Sequence, residues 1–390
     1  MLLLTATAVQ AQITIAGNVY GGGNAGDTGD STKVTVYSGD IKEIFGGARM
    51  ANVAGSAFVH IDGEHASENI LINKVYGGND IAGTIGSSTT LPTELTDTIE
   101  NKINYSWNAF VRTSTKATTT GTGANAVTTE DADAKKIFIG QVYGGGNGEY
   151  DYDSNSSPYH GKVKPELAKT YLEIKGGTIA HVYGGGNAAT VTSNTTIYIN
   201  NPSEVVTSIE DANGTDIMAD PDGTRLKEMG LNTTQTHATS ASFQFARVFG
   251  GNNKADMAIR PKWNLERGLI RDLYGGGNEG RMTSPEGLLL QIEEGAEMTV
   301  DNVYGGCRRA DVRPLYNNND ATPVPYDQIQ LDPSENPNKI PPGYAARVRV
   351  LGGHVNNVYG GNDISGNVYG GNTVGILTHI YGNVYGGGNG

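Results

Sequence analysis

The chain has 390 residues, and its 56 glycines against 7 phenylalanines and 2 tryptophans exclude ordinary helical or α/β domains. A formal charge of −13 repels phosphate backbones, which excludes nucleic acid as a natural partner. The lone cysteine, Cys307, excludes an intrachain disulfide.

The chain opens on MLLLTATAVQA, residues 1–11, an apolar stretch ending in Val9-Gln10-Ala11 that suits signal peptidase. A clipped signal peptide is expected there, and with it a secreted or surface-exposed protein. No later stretch is long and apolar enough to span a membrane.

From residue 12 onward one motif dominates. An aliphatic residue, an aromatic residue and two glycines recur eleven times, with the aromatics at Tyr20, Phe45, Tyr76, Tyr143, Tyr183, Phe249, Tyr274, Tyr304, Tyr359, Tyr369 and Tyr385. The preceding residue is always Val, Ile or Leu. Tyr20 to Phe45 and Phe249 to Tyr274 are steps of 25 residues, and the other apolar residues fall on that frame. Eight residues after the aromatic stand Val53, Val191, Met257, Met282 and Val312, each two residues after a small side chain. Fourteen after it come Val34, Val59, Ile197, Trp263 and Leu288, followed two residues on by Val36, Ile61, Ile199, Leu265 and Leu290. Ile41, Ile179, Ile270 and Val355 come five later. Alternation with period two marks half-buried strands. Each repeat therefore predicts three short strands separated by Gly or Asn corners.

Such a repeat buries too few side chains to offset the entropy of ordering its own backbone, so repeats must stack to fold. The expected architecture is an all-β parallel β-helix, a single β-solenoid over residues 12–390 with about 25 residues per coil. Insertions are expected near 83–136, 148–170, 200–242 and 313–347, where the spacing lengthens. Motif glycines mark a recurring turn where a Cβ would clash with a left-handed backbone or with the next coil. Asn24, Asn147, Asn187, Asn253 and Asn278 follow the glycines and predict an amide ladder, interrupted where Arg49 and Arg308 stand.

The motif NVYGGGN or its near copies at 18–24, 141–147, 181–187 and 383–389 resembles that of bacterial parallel β-helix surface proteins, both adhesin-like and autotransporter-passenger-like. The resemblance implies a rigid rod that adheres to a host or matrix protein or glycan. The same scaffold also carries polysaccharide lyases and hydrolases, which is the alternative reading.

Particular residues discriminate weakly between these. Gly21 to Gly26 and Gly275 to Gly280 satisfy G-x-G-x-x-G, but no helix follows, so no dinucleotide site is expected. Calcium is the one ion worth considering, since glycine-rich β-roll turns bind it, yet Asn replaces the required glycine here; the expectation is no cofactor. Glu149, Asp151 and Asp153, then Glu293, Glu294 and Glu297, then Arg308, Arg309, Asp311 and Arg313 are the charged clusters, read as solvated edges. His181 and His354 are expected on the surface, and Cys307 is read as a small-residue substitution in the motif. Tyr150, Tyr152, Tyr159, Tyr316, Tyr326 and Tyr344 lie in or beside insertions and are the candidate binding residues, because exposed rings offer flat faces to sugars or proteins.

Overall fold

The computed structural model describes residues 13–88, 107–122, 126–153, 155, 160–219, 223–231, 243–316, 322–330 and 343–389. The predicted signal peptide, residues 1–11, lies outside them. Strands take 48% of the structure and helix 2%, and a large parallel sheet of 12–15 strands wraps nearly closed round an axis.

A first face consists of ten strands that each end on a motif aromatic and hydrogen-bond in parallel, one after the next. They are Thr14–Tyr20, Gly39–Phe45, Ile70–Tyr76, Ile137–Tyr143, Thr178–Tyr183, Phe245–Phe249, the end of Lys262–Tyr274, Glu297–Tyr304, His354–Tyr359 and Val384–Tyr385. The aliphatic residue before each aromatic stacks on its equivalents, as in Ile44, Val75, Val142, Val182 and Val248. Ile41, Ile72, Ile139 and Ile179 form a second column on the same side.

A second face runs through Thr32–Val36, Ala57–Gly63, Ala109–Thr115, Glu166–Lys175, Thr190–Asn200 and the start of Lys262–Tyr274. Leu288–Ile292, Ala346–Val350 and Asn372–Ile376 make a further parallel sheet. Inward side chains of both faces meet in one aliphatic core. Val and Ile recur there because a branched Cβ packs well on a pleated surface, and each buried side chain contributes about 1.5–3 kcal/mol.

The third segment of each repeat differs from expectation. It is mostly a series of single bridges, Thr28 to Val53 to Ile85 and Met257 to Met282 to Val312 to Val368, rather than a strand. The corners on either side leave only a few extended residues to pair.

Two further readings change. Leu290 lies beneath Gly275 and is in register with Val348, so it holds the first core position in its repeat, and Leu288 lies two residues earlier. The stretch 83–136 is not one insertion, because Ala109–Thr115 is a regular strand of the second face. Thr113 fills the core place taken by Ile61 and Ile174, its hydroxyl donating to the Gly176 carbonyl at 2.8 Å, so the apolar pattern was broken although the strand was not. What departs from the repeat there includes a hairpin of Ala117–Thr120 with Val127–Glu130.

Close approach explains the first motif glycine. A Cβ at Gly275 would lie 2.5 Å from the Gly305 carbonyl oxygen of the next repeat, with no left-handed backbone involved.

Candidate functional site

Ten of the eleven motif aromatics stack in one column. Adjacent ring centroids from Tyr20 to Tyr385 lie 4.6–5.0 Å apart, and the planes tilt by no more than 13°. This follows from register: strand neighbours sit about 4.8 Å apart, within the centroid separation of offset-stacked rings. Phe249 and Tyr274 are adjacent in it at 4.6 Å. Tyr369 is the exception and corrects the expectation. Its neighbour Val368 pairs with Val312 in the third segment, and its ring is 39% exposed with the Arg313 guanidinium 5.2 Å from the centroid.

Beside the rings runs the amide ladder, four residues after each aromatic. Asn187 donates to Asn147 at 2.9 Å, Asn253 to Asn187 at 2.8 Å and Asn278 to Asn253 at 2.8 Å. Arginine ends each run of amides: Arg49 donates to Asn24 at 3.1 Å and Arg308 to Asn278 at 3.2 Å, and neither bonds the aspartate on its other side, so the expected interruption falls between arginine and aspartate. Asp80 and Asp363 resume the ladder, accepting from Asn147 at 2.9 Å and Asn389 at 3.1 Å. The order Asn-Arg-Asp-Asn thus occurs twice, as Asn24, Arg49, Asp80, Asn147 and as Asn278, Arg308, Asp363, Asn389. A guanidinium keeps the donor function of the amide, and a carboxylate keeps its acceptor function.

A second set of asparagines was not anticipated. Asn79, Asn252 and Asn362 replace the third motif glycine and turn inward, each accepting from a backbone N–H of the previous repeat, those of Ala48, Gly186 and Cys307, at 2.7–2.8 Å. Their only signal in the sequence is the break in the run of glycines.

The loop tyrosines divide into two groups. Tyr150 and Tyr152 lie on a hairpin, Tyr150–Tyr152 paired with Gly161–Val163, that folds down onto the repeats. The Tyr150 hydroxyl donates to Asp80 at 2.7 Å and the Tyr152 hydroxyl to the Met50 sulfur at 3.3 Å. The Tyr20 hydroxyl reaches the same carboxylate at 2.8 Å, and burial, reinforced by Asp80, pushes its pKa up to about 12. Tyr316 and Tyr326, by contrast, stand 51% and 49% exposed. Tyr316 donates to Gln328, and Tyr326 meets Tyr344 edge to face at 5.6 Å. Tyr159 lies outside the described residues.

His181 is buried, contrary to expectation, because Arg247 covers it and its ring sits edge-on to Tyr183 at 6.3 Å. Burial, then the nearby arginines Arg247, Arg308 and Arg271, hold its pKa well below 6.5, so the ring is neutral. His354 is exposed and stacks on Tyr381 at 3.7 Å. Cys307 is buried, and burial raises its thiol to about 12, which leaves almost no thiolate for nucleophilic chemistry.

Of the charged clusters, Glu149 pairs with Lys162 at 2.9 Å and Glu297 with Arg267. Residues 201–219 and 223–231 fold over the first face, where Leu226 and Met229 pack on Leu71 and Phe138 and Arg225 binds Asp40. Beneath it lies an opening of 810 Å³ lined by Asp40, Lys42, Asn73 and Glu228 among others. Among the described residues no group of three or more His, Cys, Asp or Glu side chains could hold a metal ion.

No protein-family model, curated protein or solved structure matches the chain.

Proposed function

We propose that the chain is a parallel β-helix acting as a rigid, adhesin-like rod, secreted or held at a bacterial cell surface, that binds a host or matrix protein or glycan through its loops. The observation that carries this reading is the contrast between tyrosines. Those of the interior of the stack are buried, whereas Tyr316 and Tyr326 on the 313–347 insertion stay about half exposed beside a fixed partner, Gln328 or Tyr344. A ring held in place loses little freedom when a ligand lands on it. The continuous ring column and parallel backbone pairing support the rigidity the reading requires, since each repeat is tied to the next by backbone and ring, and most also by a polar side chain.

The test is adherence to host cells, matrix proteins and immobilised glycans by the intact chain and by a Tyr316→Ser/Tyr326→Ser variant of equal melting temperature. Loss of adherence of tenfold or more is expected. Equal adherence would remove the loop tyrosines from the site.

A further inference from the structure

Arg247, Arg271 and Arg308 lie around one stretch of the aromatic column. Arg247 stands two residues before Phe249, in register between His181 and Asp272. Arg308 stands four after Tyr304, on the other flank, and leans back one repeat to Asn278. The positive charge of Arg308 depresses the pKa of both His181 and Arg247, secondary to burial, which agrees with this convergence.

The three guanidiniums are not equally satisfied. Arg271 is engaged, its Nε and Nη2 donating to Asp272 Oδ2 at 3.0 and 2.8 Å. A guanidinium offers five N–H donors in a planar fork. Arg247 uses one, at the limit of hydrogen-bond length, from Nη1 to His181 Nε2 at 3.5 Å; its Nε is 3.8 Å from Asp272 Oδ2, too far to bond. Arg308 donates once, at 3.2 Å to Asn278. The Nε atoms of both are buried and meet no acceptor. Nearby carboxylates are spoken for: Asp272 also accepts from Asn302 at 3.0 Å, Asp363 from the Tyr274 hydroxyl at 2.8 Å and from Asn389, and Glu279 faces Arg309 at 3.8 Å. Charged donors in excess of acceptors, partly withdrawn from water, suit an external anion.

We infer that Arg247 and Arg308 form a binding site for one oxyanion group, the sulfate ester or carboxylate of a glycan, seated on the repeat face rather than on the loops. Planar forks match the paired oxygens of either group. A single group fits better than a long polyanion, because the chain's charge of −13 opposes the latter and the Arg308 head, leaning back to Asn278, lies only one repeat, about 5 Å, along the stack from Arg247. The site uses none of the loop tyrosines, so it stands or falls apart from the adhesion reading.

Calorimetric titration of the 390-residue chain with sodium sulfate, at constant ionic strength with chloride as control, tests this. Galactose 6-sulfate and galactose are titrated alongside. Saturable binding of sulfate and of the sulfated sugar is expected, with galactose inert. Arg247→Gln and Arg308→Gln should each weaken it tenfold or more, and Tyr316→Ser/Tyr326→Ser should leave it unchanged. Absence of saturable binding, or equal binding by Arg308→Gln, would overturn the site. Free sulfate binding as tightly as the sulfated sugar would overturn the glycan. If a glutamine variant fails to fold, Arg308→Lys decides, because it keeps the charge and loses the fork: weaker binding is expected, and unchanged binding overturns the site.

Discussion

The hexapeptide Asn-Val-Tyr-Gly-Gly-Asn occurs at residues 357–362 and again at 367–372, and the two copies fold differently. In the first, Val358 lies between Val303 and Val384, and Tyr359 stacks between Tyr304 and Tyr385 at 4.8 and 5.0 Å. Its glycines keep φ out of the left-handed region. In the second, Val368 bridges to Val312, the Tyr369 ring faces solvent beneath Arg313, and Gly370 and Gly371 adopt φ of 111° and 88°. Asn362 is buried and accepts from the Cys307 N–H, whereas Asn372 opens a strand of the further parallel sheet, paired with Ala346–Val350. Six identical residues therefore carry no conformation of their own. Their place is set by which column of the previous repeat is next to be extended, and ten residues past one aromatic that column is the third segment.

The comparison can be broken by substitution. Gly275→Val in the buried column should have the largest effect, about 3–5 kcal/mol, because its Cβ meets a backbone oxygen that cannot move alone. A denaturant midpoint equal to wild type would refute close approach as the reason for glycine. Next, Tyr304→Ala should cost about 3 kcal/mol by opening a gap in the stack, against less than about 1 kcal/mol for Tyr369→Ala at the surface. Similar losses in both would mean the two copies are not energetically distinct. A smaller effect, about 1 kcal/mol, is expected for Tyr150→Phe, which leaves Asp80 short of one donor. Faster proteolysis near the paired strands Tyr150–Tyr152 and Gly161–Val163 in that variant would report their release, and an unchanged rate would show that the hydroxyl does not hold them.

A titration sharpens the same reading by pH. In the unfolded chain His181 takes up a proton near pH 6.5, whereas in the folded chain it does so only at much lower pH. The unfolded state then binds more protons between those values, so stability is intact above about pH 6.5 and falls as pH drops below it. Melting temperatures from pH 7.5 to 5 should decline, and His181→Gln should flatten part of that slope. An identical slope in the variant would place the titrating group elsewhere.

Period and alternation were enough to read much of this molecule from residue order. Val34 and Val36 point to the core because a strand repeats every two residues, a local property that needs no partner to be recognised, and Ile44 because it precedes a motif aromatic. The aromatic column followed, since equal steps imply equal places. Long-range register alone settled the rest. It put Thr113 into the core, joined His181 to Arg247 across 66 residues, and separated Tyr369 from ten look-alikes. It also gave Arg49 and Arg308 an asparagine of the previous repeat to bond, so that each ends a run of the ladder. Each of these depends on what lies one repeat away, at a sequence distance set by the insertions, and no local pattern encodes that distance.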